Sequence, residues 1–424
     1  MSISTVLVFN CGSSSLKFGL YRATSLLNKP LENHNNDVEM VLTGACEFNV
    51  QNGINENAEK VVKLHAVDAQ NNQLISEVLH TQSHAEIVKH IVKSFANLHL
   101  PAPDAIGHRV VHGGCKLSQH CLINEDVLKS IEVASIFAPL HNKSALVIIN
   151  ITKIIFPNLP QIACFDTVFH TNIPEIASTL PISKELRLRG IKRYGFHGIS
   201  CESIIHQLGN TLPSRLIIAH LGHGVSVTAV KDGKSIDTSM SLTPNSGVMM
   251  GTRSGDIDPS VLIYLLRKQH FDIGMLENLV DHQSGLLGVS GISSDMQYLH
   301  DVQDANPDVS LAINMFCYSL QKQVAAFISV LGGLDMLVFT GGIGENDHEV
   351  RSMVCQGLIC YDVYLDEFKN NRSNHPNKNI GKTDIHHTGI HEPASRCAVH
   401  VIVTNEQVEI ARHSLALLNN MTSY

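Results

Sequence analysis

The chain has 424 residues and a mass of 46.4 kDa, more than one hydrophobic core comfortably serves, so two domains are expected. A formal net charge of −8 and a pI near 6.3 argue against a nucleic-acid or membrane-surface protein. Ten cysteines without a CxxC pair suit reduced thiols in a cytoplasmic enzyme, positions 1–5 carry no basic leader, and the apolar run 145–156 is too short and too interrupted to span a bilayer.

In chain order, the first element is a strand, Val6-Leu7-Val8-Phe9, which breaks at Asn10-Cys11-Gly12-Ser13-Ser14-Ser15 and is followed by an alternating strand over 16–21. A polar, Asn-rich stretch over 28–37 reads as a surface loop. Ser83 and Glu86 make a capping box for a helix over 85–98, with Ile87, Ile91, Phe95 and Leu98 on one face. Further helices are predicted over 126–137, 144–155, 199–208, 260–268, 311–331 and 349–357, with Asp258-Pro259 as cap and first turn of the 260–268 helix. About 210 residues after the first hairpin the same device recurs: Leu216-Ile217-Ile218-Ala219, a break at His220-Leu221-Gly222-His223-Gly224, and a strand over 225–230. Lys231-Asp232-Gly233-Lys234 reads as a hairpin turn. The segment 366–396 is rich in Asn, Lys, His and Ser and lacks apolar periodicity, so it reads as a loosely ordered surface excursion, with His386, His387 and His391 solvated rather than metal-bound.

Strand–glycine turn–strand differs from the GxxxxGK[ST] phosphate loop, because the chain doubles back. Alone it is usually only a hairpin. It does expose consecutive N–H groups beside hydroxyls, which suits phosphate oxygens, and two facing copies would enclose a phosphate chain between the halves of a duplicated protein. Six polar islands add the charge. They are Gly107-His108-Arg109-Val110-Val111-His112-Gly113-Gly114, Ala138-Pro139-Leu140-His141-Asn142, Phe165-Asp166-Thr167-Val168-Phe169-His170, Arg193-Tyr194-Gly195-Phe196-His197-Gly198, the run 237–256, and Phe339-Thr340-Gly341-Gly342-Ile343-Gly344-Glu345-Asn346. Singly, each fits a turn with a structural arginine or a core histidine. Together they supply arginines, histidines and carboxylates on glycine turns, the equipment of a site that handles multiple negative charges.

Asn10-Cys11-Gly12-Ser13-Ser14-Ser15-Leu16-Lys17 resembles the N-terminal signature of the acetate kinase family. The stretch 237–259, with Thr243-Pro244 and Met250-Gly251-Thr252-Arg253-Ser254-Gly255-Asp256-Ile257-Asp258-Pro259, resembles its second signature. The islands follow the family's order over nearly the whole chain. The resemblance implies a duplicated actin-like, sugar-kinase-like α/β fold (the ASKHA architecture) and usually a homodimer. One domain would span 1–166 plus 408–424 and the other 167–407. It also implies reversible, in-line transfer of the γ-phosphoryl of ATP to acetate, giving acetyl phosphate and ADP, with Mg²⁺ or Mn²⁺. A carboxylate nucleophile is already ionised and needs no strong base; steadying the charge on the phosphoryl oxygens is the harder task. By the same resemblance Arg109 and Arg253 are the essential arginines, Asp166 the catalytic carboxylate, His197 the histidine on the transferred phosphoryl and His141 its peripheral partner. Asn10 and Glu406 belong to the metal shell. Ser13, Ser15, Lys17, His220, Gly222, His223 and Gly224 contact phosphates. Gly341, Gly342, Ile343, Gly344 and Asn346, with Asp295, Met296 and Gln297, form the adenosine side, and Val111, Leu140, Phe196 and Pro244 line the acyl pocket.

Four places depart from the family pattern: His223 for Asn, Gln297 for Arg, Ser246 for Glu, and Ile199-Ser200-Cys201 for Thr-Ser-His. They bear on nucleotide affinity more than on the reaction. In the resemblance the residue two after the first arginine faces the acyl methyl, and propionate-preferring members tend to carry alanine there. Val111 therefore implies acetate as the preferred substrate, with propionate kinase as the alternative and a non-catalytic actin-like ATPase relative behind it.

Overall fold

Thr-Val-Leu-Val-Phe-Asn-Cys has no polar alternation, and the strand it forms, β1 (Thr5–Cys11), is buried along its whole length, as befits a strand covered on both faces. It lies in the first of two compact units into which the computed structural model divides, Met1–Val168 with Asn405–Tyr424 and Phe169–Thr404; residues 4–12, 15–24, 37–48, 61–373 and 387–422 are described.

In the first unit β2 (Ser15–Ala23) returns antiparallel to β1, setting Asn10 opposite Lys17 and Cys11 opposite Leu16. The strands β3 (Val38–Phe48), β4 (Val62–Asp68) and β5 (Gln73–Leu79) extend the sheet antiparallel beyond β2. On the other side stand β6 (Ala105–Val110), β7 (Cys121–Leu122) and β8 (Gln161–Phe165), in the order β5-β4-β3-β2-β1-β6-β8-β7, with β1, β6 and β8 parallel. The helix α1 (His84–Asn97) starts where Ser83 accepts from the Glu86 amide, as its capping box predicts, and buries Ile87, Ile91 and Phe95 in one core with Leu7, Phe9 and Phe18. Each such side chain contributes roughly 1.5–3 kcal/mol of burial. The helices α2 (Glu125–Ala134) and α3 (Pro139–Ile155) follow, and the C-terminal helix Glu406–Thr422 packs on β1 and β6. A Cβ on Gly107 of β6 would stand 2.5 Å from Ser414 Oγ, so this close helix needs a glycine beneath it. Apart from Asp37, the predicted 28–37 loop lies outside the described residues.

The second unit opens with α4 (Glu175–Ser178), α5 (Lys184–Leu188) and α6 (Gly198–Leu208). Its sheet holds β9 (Arg215–Leu221), β10 (Val225–Lys231) and β11 (Lys234–Thr238), joined as hairpins. Then come α7 (Pro259–Lys268), α8 (Ile273–His282), α9 (Gly285–Ser290), α10 (Met296–Val302) and α11 (Pro307–Leu331). The chain continues through β12 (Met336–Thr340), α12 (Gly341–Asn346), α13 (His348–Gln356), α14 (Glu367–Arg372), β13 (His387–Gly389) and β14 (Ala398–Ile402). The strand order is β11-β10-β9-β12-β14-β13, with β9, β12 and β14 parallel. Its β11-β10-β9-β12-β14 repeats the β3-β2-β1-β6-β8 of the first unit strand for strand, so the fold is a duplicated α/β one.

Three readings change. The helix α3 starts five residues before the predicted 144, because Pro139 occupies its first turn. The helix α11 starts four residues before the predicted 311, because Asn306 caps it and Pro307 occupies its first turn. The 366–396 segment is not all loose excursion. Within it α14 buries Asn370, which accepts from the buried Arg351, and β13 pairs with β14; 374–386, including His386, lie outside the described residues. The helices α7 and α8 are amphipathic yet bury no residue, and leave Val261, Tyr264, Leu266, Ile273 and Met275 exposed. Among the described residues no helix is long and apolar enough to cross a membrane.

Candidate active site

Parallel pairing of β6 with β8 puts Arg109, near the end of β6, beside Asp166, just past the end of β8. The Arg109 guanidinium donates to that carboxylate through Nε at 3.0 Å and Nη2 at 2.6 Å. Its Nη1 donates to Asn10 Oδ1 at 3.2 Å, and Asn10 Nδ2 donates to Glu406 Oε2 at 2.8 Å. Glu406, at the start of the C-terminal helix, stands 3.9 Å from Arg109 Nη1. Asp166 is 1 % exposed. Burial pulls the Arg109 pKa down, but the charges of Asp166 and Glu406 outweigh it and the pKa is raised. One guanidinium thus faces two carboxylates and the Asn10 amide oxygen.

Around this cluster, Lys17 is exposed on β2 and Ser15 O accepts from the Gly12 amide; Ser13 lies outside the described residues. Val111 is buried. His141 sits in the first turn of α3, next to Asn142, which both accepts from the His112 amide and donates to its carbonyl, fixing the turn after Arg109. The Leu140 side chain lies outside the described residues.

In the second unit His197 takes the left-handed conformation, φ 57°, at the cap of α6. Its Nδ1 pairs with Ser226 Oγ at 2.9 Å and its ring stacks on His220 at 4.1 Å, while His220 Nδ1 pairs with Ser200 Oγ. Below the loop, buried His170 donates from Nε2 to the Phe196 carbonyl and takes the Ser235 hydroxyl at Nδ1. Burial holds this imidazole near a pKa of about 4 and hence neutral. Gly195 has φ +77°, and a Cβ there would strike the His170 ring at 2.6 Å. This support was not legible in the sequence, although His170 closes one of the islands.

The glycine turn lies against these groups. A Cβ on Gly224 would stand 3.2 Å from both Arg253 Nη1 and His197 Nε2, so the two side chains converge there. A Cβ on Gly222 would lie 3.5 Å from His220 Nε2 and 3.9 Å from the Gly342 amide. One on Gly251 would lie 3.4 Å from Ser294 Cβ and 3.9 Å from the His223 carbonyl. Arg253 Nη1 donates to the Pro244 carbonyl at 3.2 Å and reaches Met250 Sδ at 3.9 Å. Burial lowers its pKa, opposed by the charge of Asp281. Glu345, which the sequence reading left without a role, accepts at Oε1 from the Gly341 amide, the Thr340 hydroxyl and the Thr404 amide, so one carboxylate fixes the turn after β12. Asn346 donates to the Gly342 carbonyl, and Ile343 and Gly344 complete α12. Asp295 caps α10 by accepting from the Gln297 and Tyr298 amides; Met296 is buried, and Gln297 is exposed. Phe196 and Pro244 are buried.

The departures sort by place. Ile199 and Cys201 are core side chains, and Ser246 accepts from the Ser241 amide within its own loop. His223 and Gln297 are exposed.

Residues 5–412 match the model of the Acetokinase family. The acetate kinase of Phocaeicola vulgatus is 37 % identical over 422 residues, covering 98 % of this chain and 99 % of that one. Among solved structures, a propionate kinase from Francisella tularensis has a TM-score of 0.83 at 35 % identity, covering 98 % of this chain and all of that one. The Porphyromonas gingivalis acetate kinase has a TM-score of 0.78 at 31 % identity, covering 98 % and 100 %.

Proposed function

This chain belongs to the acetokinase family and is a kinase-type phosphotransferase, and from that premise we propose that it transfers the γ-phosphoryl of ATP to acetate, reversibly and in line, giving acetyl phosphate and ADP. The observation that carries the reading is the convergence of Arg253 Nη1 and His197 Nε2 on Gly224 of a glycine turn, in a chain whose other arginine is tied to Asp166, Asn10 and Glu406.

Acetate enters already ionised, so no group has to take a proton from it. Arg109 orients the carboxylate; its planar fork serves this better than a lysine. Asp166 holds that fork in place. Arg253 and His197 bind the phosphoryl oxygens during transfer, with His197 fixed through Ser226 and through the Phe196 carbonyl that His170 holds. The turn at His223 and Gly224 and the Gly342 amide receive the phosphate chain, Lys17 and Ser15 serve the first hairpin, and the 294–297 and 341–346 segments take the adenosine. His141 supports the acceptor side.

A divalent cation fits the first cluster on its chemistry. The carboxylates of Asp166 and Glu406 and the amide oxygen of Asn10 are hard oxygen ligands, the preference of Mg²⁺. Asn10 and Glu406 would hold it, directly or through water, and when bound it would neutralise phosphate oxygens.

Acetate is favoured over propionate because buried Val111 fills space that a longer acyl chain needs. A second copy of this chain covering the exposed apolar face of α7 and α8 accounts for those helices burying nothing of their own, and a cytoplasmic setting accounts for ten free thiols. Incubation with Mg·ATP, acetate and hydroxylamine tests the activity. Acetohydroxamate with stoichiometric ADP is expected; ADP without hydroxamate would replace the reading with that of a simple ATPase.

A further inference from the structure

His300, in α10, stands one helical turn beyond Gln297, the position where this chain lacks the family's cation. Its ring is 13 % exposed and faces charge on two sides. Nε2 lies 3.0 Å from Asp347 Oδ2. Nδ1 lies 3.3 Å from Glu349 Oε2 and, equally, 3.3 Å from Gln303 Nε2. One ring nitrogen thus stands at the same distance from a carboxylate, which it can meet only as a donor, and from an amide N–H, which it can meet only as an acceptor. The proton on Nδ1 decides between them.

The partners connect this choice to the nucleotide segments. Asp347 follows directly on Asn346, donates its amide to the Ile343 carbonyl, and caps α13 by accepting from the Val350 amide. At the other end of α10, Ser294 lies beside Gly251, which adjoins the His223 carbonyl. Other titratable groups act on Asp347 rather than on His300: Arg351 of α13 is drawn to it, and Cys317 of α11, its thiol pushed up to about 12 chiefly by burial, feels its charge. The bond to Asp347 raises the His300 pKa, burial opposes it, and Glu349 adds to the rise.

We propose that His300 is a proton-controlled positioning residue for the nucleotide: protonated, it bridges Asp347 and Glu349 and holds α10 to the turn around Gly342, and neutral, it releases Glu349, turns Nδ1 to Gln303 and weakens nucleotide binding. Two effects act in the same direction as pH rises. The link between the segments loosens, and the carboxylates of Asp347 and Glu349 lose the cation that offset them near an anionic ligand. The inference rests on the proposed nucleotide site of the second unit.

The test titrates the whole protein with a fluorescent N-methylanthraniloyl derivative of ADP and Mg²⁺ between about pH 6 and pH 8.5, alongside acetate and ATP kinetics. Wild type should weaken about fivefold across that range, beyond the change the analogue's own phosphates impose, the low end of coupling between sites. His300→Gln should bind weakly at both ends without that slope, His300→Lys tightly at both, and Glu349→Gln should shrink the slope, all with KM for acetate unchanged. Identical pH profiles in wild type and His300→Gln would overturn the proposal alone, as would a His300→Gln that raises both KM values together, the mark of a merely structural residue. Failure of every variant to bind the analogue at any pH would overturn the proposed function and this inference with it.

Discussion

Arg109 in the first unit is outnumbered by carboxylates, whereas Arg253 in the second is held by a carbonyl oxygen and a thioether, with Asp281 acting from farther off. The same side chain therefore has opposite surroundings. Around Arg109 the ion pairs outweigh the cost of burial. Around Arg253 burial wins, so the cation is desolvated without full compensation and gains most when an anion arrives. On the proposed function, one arginine is part of the scaffold as well as of the chemistry, and the other is held ready for phosphate.

The largest effect expected from this difference separates stability from turnover. Arg109→Ala takes the bidentate guanidinium from buried Asp166 and should cost about 3–5 kcal/mol of unfolding free energy. Arg253→Ala removes an under-compensated cation and should leave stability near wild type. Both should lose about two to three decades of turnover, some 3–4 kcal/mol of transition-state stabilisation. Urea unfolding with acetyl phosphate assays on the two variants checks this; equal destabilisation would abolish the distinction.

Acid asks whether the units also share a weakness. Each has a buried histidine whose pKa burial holds near about 4, His108 bonded to Gln161 and His170 bonded to Phe196. With the folded pKa below the ordinary 6.5, the unfolded chain binds more protons in between. Stability is therefore present above about pH 6.5 and is lost as pH falls towards 4, by up to roughly 3 kcal/mol for each histidine. Hydrogen exchange resolved by unit at pH 7 and pH 5 should show protection falling in both, and His108→Gln should flatten the dependence in the first unit only.

Substrate choice sharpens the assignment of the acceptor to the Arg109 side. Val111→Ala should shift the ratio of kcat/KM from acetate towards propionate by roughly 10-fold or more, within the range a methylene is worth, with KM for ATP unchanged. An unchanged ratio would show that Val111 does not gauge acyl length.

The smallest effect concerns the turn itself. Gly224→Ala puts a methyl 3.2 Å from Arg253 and His197 and should lower kcat about tenfold, because both must move by tenths of an ångström. Gly222→Ala and Gly12→Ala meet their neighbours at ordinary distances of 3.5 Å and should cost less. The order of the three rates reads how closely the second unit holds its cation and histidine.

By itself the amino-acid sequence determined the two strand–turn–strand hairpins, the capped helices and the run of islands that places the chain in its family. Each is specified within a few residues by period, glycine and cap chemistry. It gave no means to see which islands hold one another. Arg109 and Asp166 are 57 residues apart and Asn10 and Glu406 are 396 apart, and only parallel β6 and β8 and the C-terminal helix on Gly107 bring them together. The roles of Asn142, His170 and Glu345 were hidden for the same reason, since each acts on backbone distant in the chain or across a turn. Ile199 and Cys201, which stand out as departures when read in line, are core residues once packed. The opposite settings of Arg109 and Arg253 were likewise decided by tertiary structure, because the balance of desolvation against charge depends on what surrounds a group in space rather than on its neighbours in sequence.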